Sequence, residues 1–267
     1  MSRRRRPRPD LSLLLTLLLA ACGQGDASAP SVQEQGKETI GLYSSLPIAW
    51  NESADIKGLL ADTGPAHWAL DALRDQGRVI SLDALADATG ALPLPQGAVL
   101  VLAQPRPLTP QENAALDAWV QRGGRVLLFV DPMLTAHSLF PIGDPRRPQD
   151  IAMLSPILTR WGLLLEFDDA QPAGERLQGA VPVNLPGRFS ASGKSGTGVG
   201  KAGDVVARCQ IEEGGLVADC VAGKGRIVAV ADAAVLENPE DSTEIVPRKA
   251  ALVDLLRKLG VSARSGA

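Results

Sequence analysis

The sequence is poor in aromatic residues and histidines, and it lacks long apolar runs. Aromatics make up 3% of its 267 residues, so a core must be built mainly from Leu, Val, Ile and Ala. No apolar run reaches the ~20 residues of a spanning helix, and the composition fits neither a collagen-like repeat nor a coiled coil. The two histidines have no HExxH-type spacing, so we expect no metal and no cofactor. A metal site formed by His67, His137 and Asp131 is the alternative.

The chain also lacks an excess of positive charge. It has 27 Lys and Arg against 30 Asp and Glu, and five of the arginines lie within residues 3–8. Nucleic-acid binding requires a concentrated excess of basic residues to neutralise phosphates. We therefore expect no nucleic acid among the partners, and the basic block near the start is better explained by protein export.

The first 22 residues have the pattern of a lipoprotein signal. A basic segment precedes the short apolar run Leu11–Ala21, and Leu19-Ala20-Ala21-Cys22 resembles the lipobox of bacterial lipoproteins. We expect a signal peptide at 1–21, lipidation such as palmitate on Cys22, a flexible tether at 22–37 and a single α/β domain at 38–262. An ordinary cleaved signal or an uncleaved anchor is the alternative. The predicted location is the periplasmic face of the cell envelope, and Gly23 favours the outer membrane in a Gram-negative cell.

Cys209 and Cys220 are predicted to form a disulfide. Short β-type segments flank them, and a Gly-containing turn at Gly214-Gly215 joins these segments into a hairpin. The alternative is a reactive thiol, but no CxxC spacing and no nearby histidine is present to lower a thiol pKa. The pair is consistent with an oxidising compartment.

The remaining pattern predicts an α/β fold with a doubly wound, mostly parallel sheet. Continuous apolar runs indicate buried parallel strands, and apolar residues at helical spacing indicate the helices that cover them. The predicted strands are Thr39–Leu46, Val79–Leu82, Ala98–Ala103, Arg125–Val130, Leu163–Phe167 and Arg226–Ala231. The predicted helices are His67–Gln76, a helix from Thr109 to Gly123, Ile151–Trp161 and Pro247–Leu259.

Catalytic motifs are not recognisable in the sequence. The turns that follow the predicted strands lack the GxSxG pattern of a nucleophile elbow. The glycine-rich stretch Gly193–Lys201 departs from a Walker loop, because Ser195 stands where the first glycine belongs and Ala202 where a hydroxyl belongs. We therefore expect a surface loop there and no catalytic residue in the chain.

Polar residues follow several predicted strands and could line one shallow cleft. Ligands of α/β sheets usually bind at the carboxyl ends of the parallel strands. Asp-Pro and Gln-Pro turns also form for purely local reasons, and the charged loop Gly143–Asp150 could be satisfied by pairing within itself. The candidate cleft residues for a ligand or partner are Ser44, Ser45, Trp50, Asn51, Gln104, Arg106, Asp131, Arg146 and Arg147.

Residues 98–168 resemble a known family of transport proteins. The sequence from Val99 to Pro132 combines a buried strand, a Pro-containing turn, a helix, Gly-Gly-Arg, a second strand and Asp-Pro. This pattern is similar to the auxiliary domain of uncharacterised ABC-type transport systems of the gliding-motility type. Leu154–Gly162 resembles the helix that follows, and Gly225–Ala231 with Asp232 the returning strand.

The resemblance implies a flavodoxin-like fold similar to class I glutamine amidotransferases, without their catalytic cysteine. It also implies an ABC permease or ATPase as partner. This chain departs from the family in having a lipobox where the family has membrane helices. We expect a non-enzymatic envelope lipoprotein that serves such a transporter. The alternative is an envelope hydrolase with an Asp/Ser site at the carboxyl edge of the sheet.

Overall fold

A computed structural model describes residues 38–53, 66–192, 207–239 and 241–261. These residues belong to one compact unit, Gly36–Ala267. The predicted signal, Cys22, the tether and the glycine-rich stretch lie outside the described residues. None of the helices in the described ranges is long and apolar enough to cross a bilayer.

The centre of the fold is a seven-stranded, mostly parallel sheet. Its strand order is β2-β1-β3-β4-β11-β10-β9, and β10 pairs antiparallel with both β9 and β11 while the other neighbours are parallel. The strands are β1 (Glu38–Ser44), β2 (Gly77–Ser81), β3 (Val99–Ala103), β4 (Arg125–Phe129), β9 (Ala207–Glu212), β10 (Val217–Ala222) and β11 (Gly225–Val230).

Helices cover both faces of this sheet. On one face α1 (Trp68–Gln76) and α4 (Ile245–Lys258) pack against the side chains of Val101 and Phe129. On the other face α2 (Pro110–Gln121) and α3 (Ser155–Arg160) pack against Leu100 and Leu128. Because successive residues of a strand point to opposite faces, the apolar runs of β3 and β4 supply both cores. The mixed α/β architecture with a mostly parallel sheet is therefore as predicted.

Helix α2 begins and ends where its sequence signals predict. The Thr109 side chain accepts from the Glu112 backbone N–H, and the Glu112 carboxylate accepts from the Thr109 N–H. After the helix, a Cβ at Gly124 would lie 2.1 Å from the Trp119 ring. Only glycine allows the buried indole to pack so closely on the turn that leads into β4.

The disulfide hairpin extends the main sheet, because β10 pairs with β11 on its other side. Other predicted elements need correction. The helix predicted at Ile151–Trp161 is only Ser155–Arg160, since Pro156 is tolerated only in a first turn. Two small antiparallel sheets were not predicted; they pair β5 (Leu163–Glu166) with β8 (Arg188–Ala191), and β6 (Arg176–Gln178) with β7 (Val181–Val183).

The predicted disulfide is present. Cys209 and Cys220 lie directly opposite each other on β9 and β10, and their sulfurs are bonded.

Candidate functional site

The carboxyl edge of the parallel strands contains the topological switch point of the sheet. The chain leaves β1 toward β2 on one side, whereas β3 leads toward β4 on the other. The crevice between the carboxyl ends of β1 and β3 is therefore where a ligand of this kind of sheet would bind. Ser45 follows β1 there, and Gln104 follows β3.

In this protein the crevice is closed by the chain itself. The Ser45 hydroxyl donates to the Gln104 carbonyl and accepts from the Gln149 N–H at 2.9 Å. The Gln104 amide nitrogen donates to the carbonyls of Asp131 (2.9 Å) and Gln149 (2.8 Å), and its oxygen accepts from the Asp131 N–H at 2.8 Å. Ser45, Gln104 and Asp131 are all buried. Their polar groups hold loops together and do not face solvent.

Gln104 adopts a backbone conformation that is uncommon for a residue with a side chain. Its φ is +45°, in the left-handed region, at the turn between β3 and α2. In a nucleophile elbow the nucleophilic serine also occupies a strained turn between a strand and a helix. Here that position carries an amide, which is not a nucleophile, and its amide hydrogen bonds stabilise the turn.

The segment that closes the crevice is an edge loop, residues 134–150. Its base is formed by a hydrogen bond from the Leu134 N–H to the Asp150 carbonyl at 3.0 Å. The Arg147 guanidinium binds both carboxylate oxygens of Asp150 and donates to the Phe140 carbonyl at 2.7 Å. Arg106 reaches across from the turn after β3 to the carbonyls of Pro145 and Arg147. Hydrogen bonds from Arg147 within the loop and from Arg106 outside it therefore hold the loop in place.

Aromatic contacts anchor the same loop. Phe140 is buried, with its ring centroid 6.3 Å from that of Trp50 and with the Arg146 guanidinium 4.2 Å above it. Arg146 also forms a bidentate pair with Asp144, which holds the pKa of that carboxyl at about 2. In contrast, Leu139 and Ile142 are 58% and 88% exposed. The loop therefore combines a fixed interior with an apolar outer surface.

Two buried carboxyl groups lie behind the edge loop. Asp131 and Asp232 each follow the end of a strand by two residues, β4 and β11, which are paired. Asp131 accepts from the N–H groups of Met133 and Ala233, and Asp232 from those of Asn184 and Ala234. Each carboxyl therefore connects separate turns of the carboxyl edge.

The pair is poised to retain a proton at neutral pH. Burial raises the pKa of Asp131 to about 7, and burial together with the charge of Asp131 raises the pKa of Asp232 to about 8. Nearby Glu237 also has a raised pKa, mainly through burial, and accepts from the Thr135 hydroxyl. Both aspartates are fully buried, so neither carboxyl can contact a substrate in this conformation.

The other predicted cleft residues are distributed around this edge. The Ser44 hydroxyl donates to the Leu46 carbonyl at 2.9 Å. Trp50 and Asn51 line a separate cavity of about 250 Å³ beside the start of α1. The structure thus brings Ser45, Gln104 and Asp131 into one buried network, but it does not form a single open cleft from all nine residues. Whether these residues bind a ligand or partner stays a prediction.

Sequence reasoning did not select Asp232 as a site residue. The signal was available, because Asp232 follows an apolar strand as Asp131 does.

The structure shows no group of three or more His, Cys, Asp or Glu within the described ranges that could hold a metal ion.

The chain belongs to a family whose function its description leaves open. The family, described as "Domain of unknown function (DUF4350)", matches residues 61–240. This range contains β2–β11 and most of the carboxyl edge, including the edge loop and both buried aspartates. No curated protein is significantly similar to the chain.

The chain is distantly similar to several solved structures. An exo-β-1,4-mannosidase, Op5Man5 from Opitutaceae bacterium strain TAV5, is 15% identical with a TM-score of 0.46, over 82% of this chain and 36% of the mannosidase. A β-galactosidase from Bacillus circulans sp. alkalophilus is 12% identical with a TM-score of 0.42, over 85% and 32%. The mmIFT52 N-terminal domain is 10% identical with a TM-score of 0.41, over 86% and 100%. The chain thus spans about a third of the length of the two glycosidases, and TM-scores at this level establish no shared activity.

Proposed function

We propose that this protein is a non-enzymatic, lipid-anchored binding component of the cell envelope that serves an ABC-type transport system. One observation carries the proposal: the switch-point crevice is closed by the edge loop, which presents an exposed apolar surface in its place. Enzymes with sheets of this kind usually bind their ligands in that crevice. A binding component needs a fixed surface, which the cross-linked edge loop supplies.

The chemistry of the carboxyl edge supports a binding role. Gln104 stands at the turn where a nucleophile would be needed, and its amide is fully used in hydrogen bonds. The two aspartates accept backbone hydrogen bonds and are inaccessible. We infer that these groups stabilise the edge, and that recognition occurs on the outer side of the edge loop.

We also propose that the sheet is of the flavodoxin-like, amidotransferase-like type. The parallel strands lie side by side in the order β2-β1-β3-β4-β11. If these five strands alone are numbered along the chain, the order becomes 2-1-3-4-5, which is that of flavodoxin-like sheets. This order supports the amidotransferase-like fold without its catalytic cysteine, because Cys209 and Cys220 are consumed in a disulfide on the far strands. The gliding-motility-type auxiliary domain is the resemblance that connects this fold to ABC transport.

The anchor and location rest on the sequence. The lipobox Leu19–Cys22 supports lipidation at Cys22, and the disulfide supports an exported protein. The proposed location is the periplasmic face of the outer membrane, with an ABC permease or ATPase complex as partner.

The test is a mild-detergent pull-down of the full, lipidated protein with mass spectrometry of the co-purified proteins. We expect an ABC permease or ATPase with the wild type, and at least a tenfold lower yield with the double variant Leu139→Ser/Ile142→Ser, because loss of two apolar contacts of this size is worth about that factor. A matched control is Leu177→Ser/Val246→Ser, which removes two other exposed apolar side chains.

Each outcome is decisive. Absence of any ABC component from the wild-type sample contradicts the transport role. Equal recovery with both double variants contradicts the assignment of the edge loop as the contact surface. Asp131 is unsuitable for this test, because its substitution disrupts the buried network.

A further inference from the structure

A small cavity beside the edge loop has the composition of a ligand site. It lies between the turn that follows β1 and the first turns of α1, and its volume is about 250 Å³. Its apolar walls include Ile48 and Leu70, and its polar groups include Trp50, His67 and Arg74. This cavity is separate from the buried network of Ser45, Gln104 and Asp131.

His67 is the most informative residue of the cavity. It is only 7% exposed, and it forms the N-cap of α1 by accepting the Ala69 N–H at Nδ1 over 3.1 Å. Burial lowers its pKa to about 4, so the imidazole is neutral at physiological pH. Because Nδ1 is an acceptor, the single ring proton must be on Nε2. The ring lines the cavity, and its Nε2–H is a hydrogen-bond donor.

The helix that carries His67 adds positive potential. His67, Leu70 and Arg74 lie on one helical face, since they are separated by three and four residues. The first turn of a helix carries a partial positive charge from its unpaired N–H groups. Arg74 adds a positive charge, which the Asp71 carboxylate, 3.3 Å from the exposed guanidinium, partly neutralises.

We propose that this cavity binds a small organic carboxylate with an apolar body. The imidazole N–H, the indole N–H of Trp50 and the Arg74 guanidinium are all donors, and no carboxylate lies among the described lining residues. A cationic ligand would be disfavoured by the positive helix terminus, and it would find no carboxylate among these lining residues. Ile48 and Leu70 provide the contact for an aliphatic chain.

The size of the cavity limits the ligand. Pockets for drug-sized ligands measure about 300–1,000 Å³, so a cavity of about 250 Å³ fits a smaller molecule. A short-chain fatty acid or the side chain and carboxylate of one amino acid meets this limit. This inference is independent of the proposed transport role, because it involves neither the edge-loop surface nor the partner protein.

The test is calorimetric titration of the protein with hexanoate, hexanamide and inorganic phosphate at neutral pH. Hexanoate is expected to bind with a Kd below about 1 mM. Hexanamide has the same apolar chain but no charge, and we expect it to bind about tenfold more weakly or worse, as for loss of a charge-assisted hydrogen bond. Phosphate is expected to bind weakly, because it cannot use the apolar walls.

Two variants and a matched control locate the site. Arg74→Gln and His67→Ser are each expected to weaken hexanoate binding about tenfold. Serine at position 67 preserves the N-cap but cannot reach into the cavity. Arg78→Gln removes the same charge on the neighbouring strand β2, outside the cavity, and is expected to bind hexanoate like the wild type.

Three results would overturn the proposal. The first is that millimolar hexanoate gives no heat of binding, and the second is that the protein binds hexanoate and hexanamide with equal affinity. The third is that Arg74→Gln and Arg78→Gln bind hexanoate with equal affinity. Circular dichroism of each variant accompanies the titration. If His67→Ser does not fold, the comparison of the two arginine variants decides.

Discussion

At the residue scale, the least usual feature is the pair of carboxyl groups buried side by side. A buried carboxylate is costly, and two adjacent ones repel each other, so such a pair holds a proton that an exposed pair would release. The four backbone N–H groups bound by Asp131 and Asp232 favour ionisation and partly offset this cost. The balance leaves both pKa values above the usual 3.8.

From the raised pKa values of Asp131 and Asp232, we predict that the free energy of unfolding decreases as pH rises. The unfolded chain releases these protons near pH 4, whereas the folded protein holds them until about pH 7 to 8. Full stabilisation is therefore present below pH 4 and is lost as pH rises through the folded pKa values. Between pH 6.5 and 8.5 we expect the free energy of unfolding to fall, by at most about 1.4 kcal/mol per pH unit for each proton held. Urea titrations across this range measure the slope.

The lower end of this range contains an opposing contribution from His67. Its pKa is lowered from 6.5 to about 4, so it favours the folded state above pH 6.5 and loses that contribution as pH falls toward 4. Because half of the unfolded imidazoles are still protonated at pH 6.5, this effect ends only at about pH 7.5, and above that pH the acidic groups determine the slope. Asp232→Asn should flatten it, whereas Asp254→Asn at an exposed site should not. A slope that is unchanged in Asp232→Asn contradicts the prediction.

At the element scale, the strands and helices that could be predicted are those whose own residues carry a clear local signal. The strands β3 and β4 were predicted within one residue because continuous apolar runs have no stable alternative in a sheet covered on both faces. Helix α2 was predicted because Thr109, Pro110 and Glu112 form an N-terminal signal. Strands β6 and β7 have three residues each, which is too short for any periodicity, and their pairing depends on contacts distant in sequence.

The candidate site was less predictable than the fold. The sequence placed Ser45, Gln104 and Asp131 at one edge, because parallel strands end together. The sequence did not indicate that the edge loop would close the crevice. The closure depends on a hydrogen bond from the Gln104 side-chain amide to the Gln149 carbonyl, 45 residues away, and no local pattern reveals such a contact. The same limit applies to the cavity at His67, whose neutral state depends on burial.

The capping box of α2 gives a test at this scale. Thr109→Ala removes two hydrogen bonds of the hydroxyl, the one accepted from the Glu112 N–H and the one donated to the Glu112 carboxylate. We expect a loss of about 1 kcal/mol, which corresponds to about 2–4 °C in Tm for a domain of this size. Glu112→Ala should cost more, because its carboxylate also accepts from the Leu85 N–H, 27 residues away, and so leaves a buried donor unpaired. Thermal unfolding compares the two. A larger effect of Thr109→Ala than of Glu112→Ala would contradict the role given to Leu85.

At the scale of the whole molecule, the two ends of the described body meet at the amino edge of the sheet. Arg125, at the start of β4, pairs with Glu38 at 2.7 Å and donates to the Leu259 carbonyl at 3.3 Å. The edge loop lies at the opposite, carboxyl edge. The first described strand therefore begins at the edge opposite the proposed partner surface.

The antiparallel end of the sheet is the part that depends most on a covalent link. Strand β9 pairs with β10 in the sheet, and the disulfide joins them directly. In the chain-entropy account, closing a loop with a sequence separation of 11 stabilises the folded state by about 3 kcal/mol. For a domain of this size, we expect reduction of the disulfide to lower Tm by about 6–12 °C.

Thermal unfolding of the Cys22→Ser variant with and without a reductant measures this effect. In this variant Cys209 and Cys220 are the only cysteines, so the reductant acts on their disulfide alone. The double variant Cys209→Ala/Cys220→Ala should unfold at about the temperature of the reduced protein, and reductant should change its Tm no further. Because Cys220 is fully buried, the alanine also removes packing, so a somewhat lower Tm in the variant is consistent with the account. An unchanged Tm on complete reduction, verified by thiol titration, would show that the hairpin is held by the sheet alone.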